Sequence, residues 1–447
     1  MSDLPAGWTR TKLGDVADFV VDGDHNPPKR VSDGVPHLTA RNVKGGRLVL
    51  DRCTFISSED FVRTGRRYTP AAGDVIVTCV GTLGQTAIVP SGLSFSADRN
   101  LAAIRPGEAV QSAFLKAFLD APAAQDFMRN ASGSTAQPHL YLGDLRDLAI
   151  PLPPIAEQGR IVVAIDEEFS RIDAGSAGIS RAQNQARRQE PAILQSAAAR
   201  AASSHQKSFV GNLLREPLRN GHSAKANPGG SVPIFTLTAV TSGTFTVANT
   251  KLTAADPARV KDLWVAPGDI LIERSNTPEL VGTTRLYNGP ADLAVFPDLV
   301  IRARFSNLVR PEYAELIFRA PSSRDYFRRS AQGISGTMPK IDQGIVEQLE
   351  ISIPPVEIQQ QIVEHARIQL DSLVRLRRDL TLANKKVEQL RRSVLAAAVS
   401  GKLVQQDPVD EPASALLERM GAERASRSSP RFTRTRKAIL PREKAEA

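Results

Sequence analysis

Apolar residues recur in steps of three and four along two stretches of the chain, about 200 residues apart. In the second stretch they are Leu373, Leu376, Leu380, Ala383, Val387, Leu390, Val394 and Ala397. The residues 201 positions earlier are Ile172, Gly175, Ile179, Ala182, Ala186, Gln189, Ile193 and Ser196, and five of these eight are apolar. A repeat of 3.5 residues is typical of helices that pack side by side in a coiled coil. The pattern predicts two long helices, over 155–201 and 356–400, whose seams can pair within one chain.

The start of each predicted helix is also duplicated. The segment 150–158 reads Ile-Pro-Leu-Pro-Pro-Ile-Ala-Glu-Gln, and the segment 351–359 reads Ile-Ser-Ile-Pro-Pro-Val-Glu-Ile-Gln. Proline ends the preceding strand and allows a helix to begin after it. Gly175, Gly178 and Pro191 weaken the first helix, and we expect a kink near Pro191.

The stretches before the two helices share a weaker similarity, because their offset drifts between 195 and 201. Gly73-Asp74-Val75-Ile76, for example, matches Gly268-Asp269-Ile270-Leu271. Both stretches alternate short β-rich runs with turn residues, and each contains one helix-like segment, at 111–130 and at 311–329. The sequence therefore predicts an α+β protein with an internal pseudo-twofold repeat. Its two similar mixed α/β domains are separated by two long helices that form an antiparallel intramolecular coiled coil. The expected boundaries are 1–150, 151–205, 206–350, 351–405 and a final segment 406–447.

The formal net charge of +9 suggests an acidic partner such as nucleic acid. Residues 421–447 carry eight Lys/Arg and three Asp/Glu, so most of this charge lies in a basic tail that we expect to be disordered. Two cysteines and six histidines show no spacing typical of disulfides or metal ligands. Neither a signal peptide nor a membrane-spanning apolar run is recognisable, so we expect a soluble cytoplasmic protein.

The duplicated segments at 150–158 and 351–359 resemble the signature of type I restriction-modification specificity subunits. Residues 389–398, followed by Gly401-Lys402-Leu403, are similar to that family's terminal pattern, and so is the opening Gly7-Trp8 with Leu13-Gly14-Asp15-Val16. The resemblance covers residues 1 to about 405. The basic tail lies outside it, and the first helix ends in Ala199-Arg200-Ala201 where the second has Ser400-Gly401-Lys402.

This resemblance implies that the two mixed domains are target recognition domains, each reading one half of a bipartite double-stranded DNA site. It further implies that the helices set the spacing and dock two methyltransferase subunits, and that a restriction subunit joins for cleavage. The chain itself would hold no cofactor. S-adenosylmethionine would belong to the methyltransferase, and ATP and Mg to the restriction subunit. If about 25 helical residues separate the domains, they span roughly 37 Å, close to one turn of DNA.

Motifs that would make the chain an enzyme are incomplete. Asn26-Pro27-Pro28-Lys29 resembles the Asn-Pro-Pro-aromatic motif of adenine-N6 methyltransferases, but lysine replaces the aromatic residue that stacks on the flipped base. Gly81-Thr82-Leu83-Gly84 lacks the third glycine of a dinucleotide site. We therefore expect a non-catalytic recognition subunit. The alternatives are a self-contained adenine-N6 methyltransferase and a coiled-coil scaffold without a DNA function.

Candidate DNA-contacting residues lie in polar loops next to predicted strands. Arg and Lys bind guanine edges, Asn and Gln bind adenine, and hydroxyl residues bind phosphates. In the first domain the candidates are Arg41, Asn42, Lys44, Ser134, Thr135, Gln137 and His139. In the second domain they are Arg274, Ser275, Asn276, Ser335, Thr337 and Lys340. A solvated surface charge or an ordinary turn is the alternative interpretation for each of them.

Overall fold

The structure is a computed structural model, and it describes residues 4–26, 28–133, 138–203, 206–333 and 338–428. No helix in these ranges is both long enough and apolar enough to cross a membrane.

The first repeat is built on a four-stranded antiparallel sheet. Its strands are β1 (Thr9–Lys12), β2 (Ala17–Asp22), β3 (Val35–Leu38), β4 (Val43–Lys44), β5 (Arg47–Leu48), β6 (Thr54–Ile56), β7 (Val75–Thr78), β8 (Thr86–Ile88), β9 (Ser96–Ala97), β10 (Leu101–Pro106) and β11 (Ala149–Leu152). Its helices are α1 (Leu13–Val16), α2 (Ser58–Gly65), α3 (Ser112–Asp120), α4 (Pro122–Ala131) and α5 (Leu142–Asp147). The main sheet has the order β2-β10-β7-β8, while β1 pairs with β11. A smaller sheet of order β6-β3-β9 and the pair β4-β5 complete the repeat.

The second repeat follows the long helix α6 (Ile155–Ala202) and has the same main topology. Its strands are β12 (Lys207–Phe209), β13 (Arg219–Asn220), β14 (Val232–Phe235), β15 (Thr250–Thr253), β16 (Asp269–Glu273), β17 (Thr284–Tyr287), β18 (Val300–Ala303) and β19 (Glu350–Ser352). Its helices are α7 (Leu237–Ser242), α8 (Pro257–Val260), α9 (Pro311–Arg319), α10 (Pro321–Ser330) and α11 (Gln343–Glu347). The sheet order β13-β18-β16-β17 repeats β2-β10-β7-β8, and β12 pairs with β19 as β1 pairs with β11. The long helix α12 (Val356–Ala398) and the helix α13 (Ala413–Ser428) follow.

The chain forms two compact units, and each long helix contributes one part to each of them. Unit 1 comprises residues 1–177 and 384–447, and unit 2 comprises residues 178–383. In unit 1, Ile161 and Ile165 of α6 share a core with Leu395 and Ala398 of α12. Further along α6, Asp173 forms an ion pair with Arg391, which precedes Leu395 in α12. The two helical segments therefore run antiparallel.

Unit 2 repeats this arrangement with the other parts of the helices. Leu194, Ala197 and Ala201 of α6 share a core with Ile362 and Ala366 of α12. Arg377 donates to Glu190 across the pair at 2.8 Å and to the backbone oxygen of Ala186 at 3.0 Å.

The predicted seam differs from the observed burial at several positions. Ala186 and Leu373 are buried, whereas Leu376 and Leu390 are exposed, and the other nine predicted seam residues are half-buried. Near the helix ends, the buried residue is the one after the predicted seam position: Leu194 follows Ile193, and Leu395 follows Val394. There the helices pack on the domain cores as well as on each other. Residues 175 and 178 do not interrupt α6, and the helix continues through Pro191.

Each predicted helix at 111–130 and 311–329 is in fact a pair of helices. α3 ends before Ala121-Pro122, and α9 ends before Ala320-Pro321. The residue before a proline avoids the helical region, and Ala121 and Ala320 have ψ angles of 148° and 144°. Proline thus breaks both repeats at the same place.

The segment after residue 405 is more ordered than we expected, up to residue 428. α13 packs Ala413, Leu416, Leu417 and Met420 against the core of unit 1. These residues follow the i, i+3, i+4, i+7 spacing of an amphipathic helix, and they precede the basic stretch 421–447. Residues 429–447 of the expected tail lie outside the described part of the chain.

Candidate nucleic-acid interface

A buried glutamine fixes the start of each long helix to the domain before it. Gln158 accepts from the backbone N–H of Gln111 at 2.8 Å and donates to the carbonyls of Ala109 and Pro153 at 2.8 and 3.1 Å. In unit 2, Gln359 makes the same three bonds, with Arg310 at 2.9 Å and with the carbonyls of Leu308 and Pro354 at 2.8 and 2.9 Å. Both glutamines have 0% exposure. Each long helix is therefore attached to its domain by the same polar contacts.

A buried aspartate is also repeated, at the start of the central strand. Asp74 accepts from Arg105 at 2.8 Å and from the backbone N–H of Ala71 at 2.9 Å. Asp269 likewise accepts from Arg304 at 2.5 Å and from the backbone N–H of Ala266 at 2.9 Å. These contacts fix β7 and β16. The far end of β16 leads into Arg274, and the far end of β7 lies beside the candidate loop of unit 1.

The candidate hydroxyl loops leave both repeats at the same place, beside the end of the central strand. In unit 1 the backbone N–H of His139 donates to the carbonyl of Ser132 at 3.4 Å, and the N–H of Leu140 donates to that of Cys79 at 2.9 Å. In unit 2 Lys340 donates to Gln332 and Ile341 to Arg274, both at 2.9 Å. The equivalent bonds close the base of each loop. The candidates within the loops, Ser134, Thr135, Gln137, Ser335 and Thr337, lie outside the described residues.

Unit 2 brings together the candidates from both of its predicted segments. Ser275 forms an isolated backbone bridge with Lys340, whose side chain is exposed. The Nε of Arg274 and the Oγ of Ser275 are buried and have no hydrogen-bond partner in the described part of the chain. Since buried polar atoms are nearly always paired, unpaired ones mark this loop as a place where polar partners are still needed.

Asn276 forms a hydrogen bond with Glu273, a residue that was not among the candidates predicted from the sequence. Its Nδ2 donates to Glu273 at 2.8 Å, and Thr241 donates to the same carboxylate at 2.5 Å. Glu273 is fully buried at the end of β16, and this burial raises the pKa of its carboxyl group. Only its place at the end of a strand, next to Arg274, could have suggested it.

In unit 1 the candidates differ in accessibility. Arg41 and Lys44 are exposed, in a short 3-10 turn and in β4. Asn42 is 4% exposed, and its side chain accepts from the backbone N–H of Thr39 and donates to the carbonyl of Val49, both at 3.0 Å. Asn42 therefore supports the turn. The ring of His139 lies 4.5 Å from that of Tyr141, and its Nδ1 is buried without a partner in the described ranges.

Comparison with known proteins finds this architecture in one family. Two stretches, residues 5–175 and 224–378, match the model of the type I restriction modification DNA specificity domain. The chain belongs to this specificity family. The family membership confirms the resemblance found in the sequence, and it identifies the chain as a specificity subunit, which is not a catalytic one.

Curated specificity subunits align with nearly the whole chain. The EcoKI specificity subunit of Escherichia coli K12 is 24% identical over 96% of this chain and 98% of its own length. The StySPI specificity subunit of Salmonella potsdam is 22% identical over 94% and 96%. A 39-residue stretch is 59% identical to the EcoAI specificity subunit of Escherichia coli.

Solved structures share the fold. A chain from a study of complex assembly and conformational transition of the type I R-M system is 20% identical, with a TM-score of 0.69, and covers 90% of this chain and 100% of that one. The HsdS subunit from Thermoanaerobacter tengcongensis is 18% identical, with a TM-score of 0.53, over 90% and 98%. The α+β class with two specificity domains is thereby confirmed.

The methyltransferase-like segment of this specificity subunit has exposed residues at both ends, while Pro28 is buried. Asn26 is exposed, and its backbone N–H bonds to the Asp24 carboxylate at 3.1 Å. Lys29 is exposed as well, and Pro27 lies outside the described residues. The comparisons support the specificity function and give no support to the alternative of a self-contained methyltransferase.

Proposed function

We propose that each unit reads one half of a bipartite DNA sequence on behalf of a type I methyltransferase. The observation that carries this proposal is the duplication of the specificity domain within one chain, on a shared fold but with different polar residues. Glu273 at the end of β16, for example, corresponds to Thr78 at the end of β7. Two domains of the same fold that present different polar side chains can bind two different DNA half-sites.

The DNA contacts are proposed at the loops beside β7 and β16 and, in unit 1, also at the turn before β4 and at β4 itself. In unit 2 Arg274 and Lys340 lie at the base of one loop, where guanidinium and ammonium groups can bind guanine edges or phosphates. In unit 1 we propose Arg41, Lys44 and His139, together with Ser134, Thr135 and Gln137. Ser335 and Thr337 complete the proposal in unit 2.

The partners follow from the systems in which the relatives are named. These relatives are specificity subunits of type I restriction enzymes, so we propose methyltransferase subunits and a restriction subunit as partners of this chain. S-adenosylmethionine would then be bound by the methyltransferase, and ATP and Mg by the restriction subunit. Exposed apolar side chains on the long helices, such as Val163, Leu382 and Leu390, suit the docking of two methyltransferase subunits.

The experiment that tests this function is co-expression with a type I methyltransferase subunit, followed by mapping of methylated adenines. We expect an interrupted motif with two specified halves. Arg274→Ala with Lys340→Ala should relax one half, while Arg41→Ala with Lys44→Ala should relax the other. A continuous motif, or relaxation of the same half by both pairs, contradicts the proposal. Methylation by the purified chain with S-adenosylmethionine alone contradicts it too.

The helices are proposed to set the distance between the two halves. Adding one helical turn, about four residues, to the middle of both α6 and α12 lengthens a helix by roughly 5–6 Å. We expect the mapped motif to keep both halves and to change the number of unspecified bases between them. Altered half-sites with unchanged spacing would contradict this role.

A further inference from the structure

Unit 2 contains an arginine-lined cleft that the proposed recognition loops do not include. The cleft has a volume of about 430 Å³ and lies among α6, α7, β17, α9 and α10. The charged side chains that line it are Arg187, Arg285, Arg319, Arg324, Arg328 and Glu190. Five cations thus face one carboxylate.

Two of the three half-buried arginines, Arg285 and Arg324, have no carboxylate partner in the described ranges. Arg285 donates to the carbonyls of Thr284 and Thr241, both at 3.2 Å. Arg324 donates through Nη2 to the carbonyl of Glu279 at 2.8 Å, while its Nη1 is buried and has no partner in the described chain. A buried guanidinium N–H without an acceptor lowers the stability of the folded protein. The Nη1 of Arg324 is therefore available to donate to a ligand.

The nearby carboxylates are already engaged by other groups. Glu190 accepts from Arg319 at 3.0 Å and from Arg377 at 2.8 Å, and Glu273 accepts from Thr241 and Asn276. Asp325 pairs with Arg328 at 3.2 Å. Burial and then Arg328 lower the pKa of Arg324 to about 10, and burial lowers that of Arg285. Arg285 and Arg324 are therefore attracted by nearby carboxylates such as Glu273, but neither forms an ion pair with one in the described ranges.

The first repeat shows that the fold does not require these arginines. Where unit 2 has Arg324, in the first turn of α10, unit 1 has Gln125 in α4, which donates to the carbonyls of Gly84 and Leu119 at 2.8 and 2.7 Å. Arg319 at the end of α9 corresponds to Asp120 at the end of α3. Arg285 in β17 corresponds to Ala87 in β8. Unit 1 thus has Gln125, Asp120 and Ala87 in place of the three arginines, and Asp120 accepts from Lys116 at 2.7 Å.

We propose that this cleft binds a phosphate group, held by the guanidinium groups of Arg285 and Arg324. Guanidinium matches phosphate in a two-pronged geometry, and such bonds are strong when partly buried. A cleft of this volume also has room for a nucleoside attached to the phosphate. The phosphate could come from a DNA backbone or from a free nucleotide. Only the DNA source rests on the proposed function.

The test uses the full chain and the variant Arg285→Gln with Arg324→Gln. The matched control, Arg129→Gln with Arg171→Gln, removes two exposed arginines from α4 and α6 of unit 1. Calorimetric titrations with inorganic pyrophosphate and with ATP probe the free-nucleotide source. Binding of a random-sequence duplex over a range of salt concentrations probes the DNA source.

If the cleft binds a DNA phosphate, the cleft variant should bind the duplex at least about tenfold more weakly than the control variant. Its slope of log affinity against log salt should also fall by about 1 to 2. If the cleft binds a free nucleotide, the variant should lose pyrophosphate and ATP affinity about tenfold while duplex binding stays unchanged. If affinity for none of these probes changes relative to the control, the proposal is overturned.

Two further measurements keep the result interpretable. Phenylglyoxal modifies arginines, and the probe that binds the cleft (duplex, pyrophosphate or ATP) should reduce the modification of Arg285 and Arg324 in the native chain. This measurement does not depend on the folding of a variant. Equal modification with and without every probe counts against the cleft. A native chain that binds neither the duplex nor pyrophosphate nor ATP overturns the cleft, whereas the mapped methylation motif alone decides the proposed function.

Discussion

Gln158 and Gln359 show how single buried residues hold each domain to its helix. Each one satisfies a backbone N–H and two backbone carbonyls that would otherwise be buried without partners. Glu157, next to Gln158, has no polar equivalent in unit 2, where Ile358 stands. It accepts from the Trp8 indole at 3.0 Å and from Gln406 at 3.2 Å. The repeated glutamine thus serves the fold in both units, while the glutamate serves unit 1 alone.

His37 makes the stability of unit 1 depend on pH. Its side chain is 1% exposed, and its Nδ1 lies 3.2 Å from the Oγ of Ser96. Burial and then Arg30 lower the pKa of His37 from 6.5 to about 4. In the unfolded chain His37 is therefore protonated below about pH 6.5, whereas in the folded chain it is protonated only below about pH 4. Stability is full above this window and falls by up to about 3 kcal/mol across it.

Thermal unfolding at several pH values across the window measures this effect. His37→Gln should lose much of the pH dependence, whereas His365→Gln, which changes an exposed histidine of unit 2, should keep it. Equal pH dependence in the native chain and in His37→Gln would show that another group is responsible.

At the scale of elements, the long helices are stabilised by a few deeply buried side chains and by two inter-helix ion pairs. The ion pairs join Asp173 to Arg391 in unit 1 and Glu190 to Arg377 in unit 2. Arg391 also lies 4.9 Å above the Phe169 ring. The heptad pattern placed these helices within two residues of their observed ends, but it assigned equal burial to positions that the structure treats differently.

Leu373 and Leu376 provide a matched test of that difference. Both belong to the predicted seam, but Leu373 is 3% exposed and Leu376 is 40% exposed. Leu373→Ala should cost about 2–4 kcal/mol of stability, because it leaves a cavity in the core of the helix pair. Leu376→Ala should cost less than about 1 kcal/mol. Urea unfolding followed by circular dichroism measures both, and equal losses would show that the seam is buried along its whole length.

At the scale of the whole molecule, each unit is assembled from segments that are far apart in the sequence. The segment after α12 is part of unit 1, because Asp410 pairs with Arg160 at 2.6 Å and the N–H of Ala413 donates to the carbonyl of Gly7 at 2.9 Å. Leu416, Leu417 and Met420 extend the same core. The C-terminal segment therefore contributes to the stability of the first domain.

Truncation of the chain tests this contribution. Ending the chain after Gln405 removes Asp410 and α13, and it should destabilise unit 1 by about 3 kcal/mol or more through lost apolar burial. Ending it after Ser428 keeps these contacts and should leave the unfolding temperature unchanged. Hydrogen exchange of β1 and the start of α6 localises the loss. If the shorter truncation product is as stable as the longer one, α13 does not support unit 1.

The sequence by itself determined the duplication, the long helices and the class of protein. Their signals are local and periodic: the heptads, the prolines before each helix, and the paired segments at 150–158 and 351–359. It did not predict the helix breaks at Pro122 and Pro321, although a proline disfavours the helical region at the residue before it. It also did not predict the apolar face of α13 at 413–420, which precedes the basic stretch 421–447. Tertiary structure alone decided that Asn42 is buried, that Lys340 lies beside Ser275, and that Arg285 and Arg324 face one cleft. Such contacts join residues that are far apart in the sequence, and loop geometry sets them, so no periodic pattern along the chain records them.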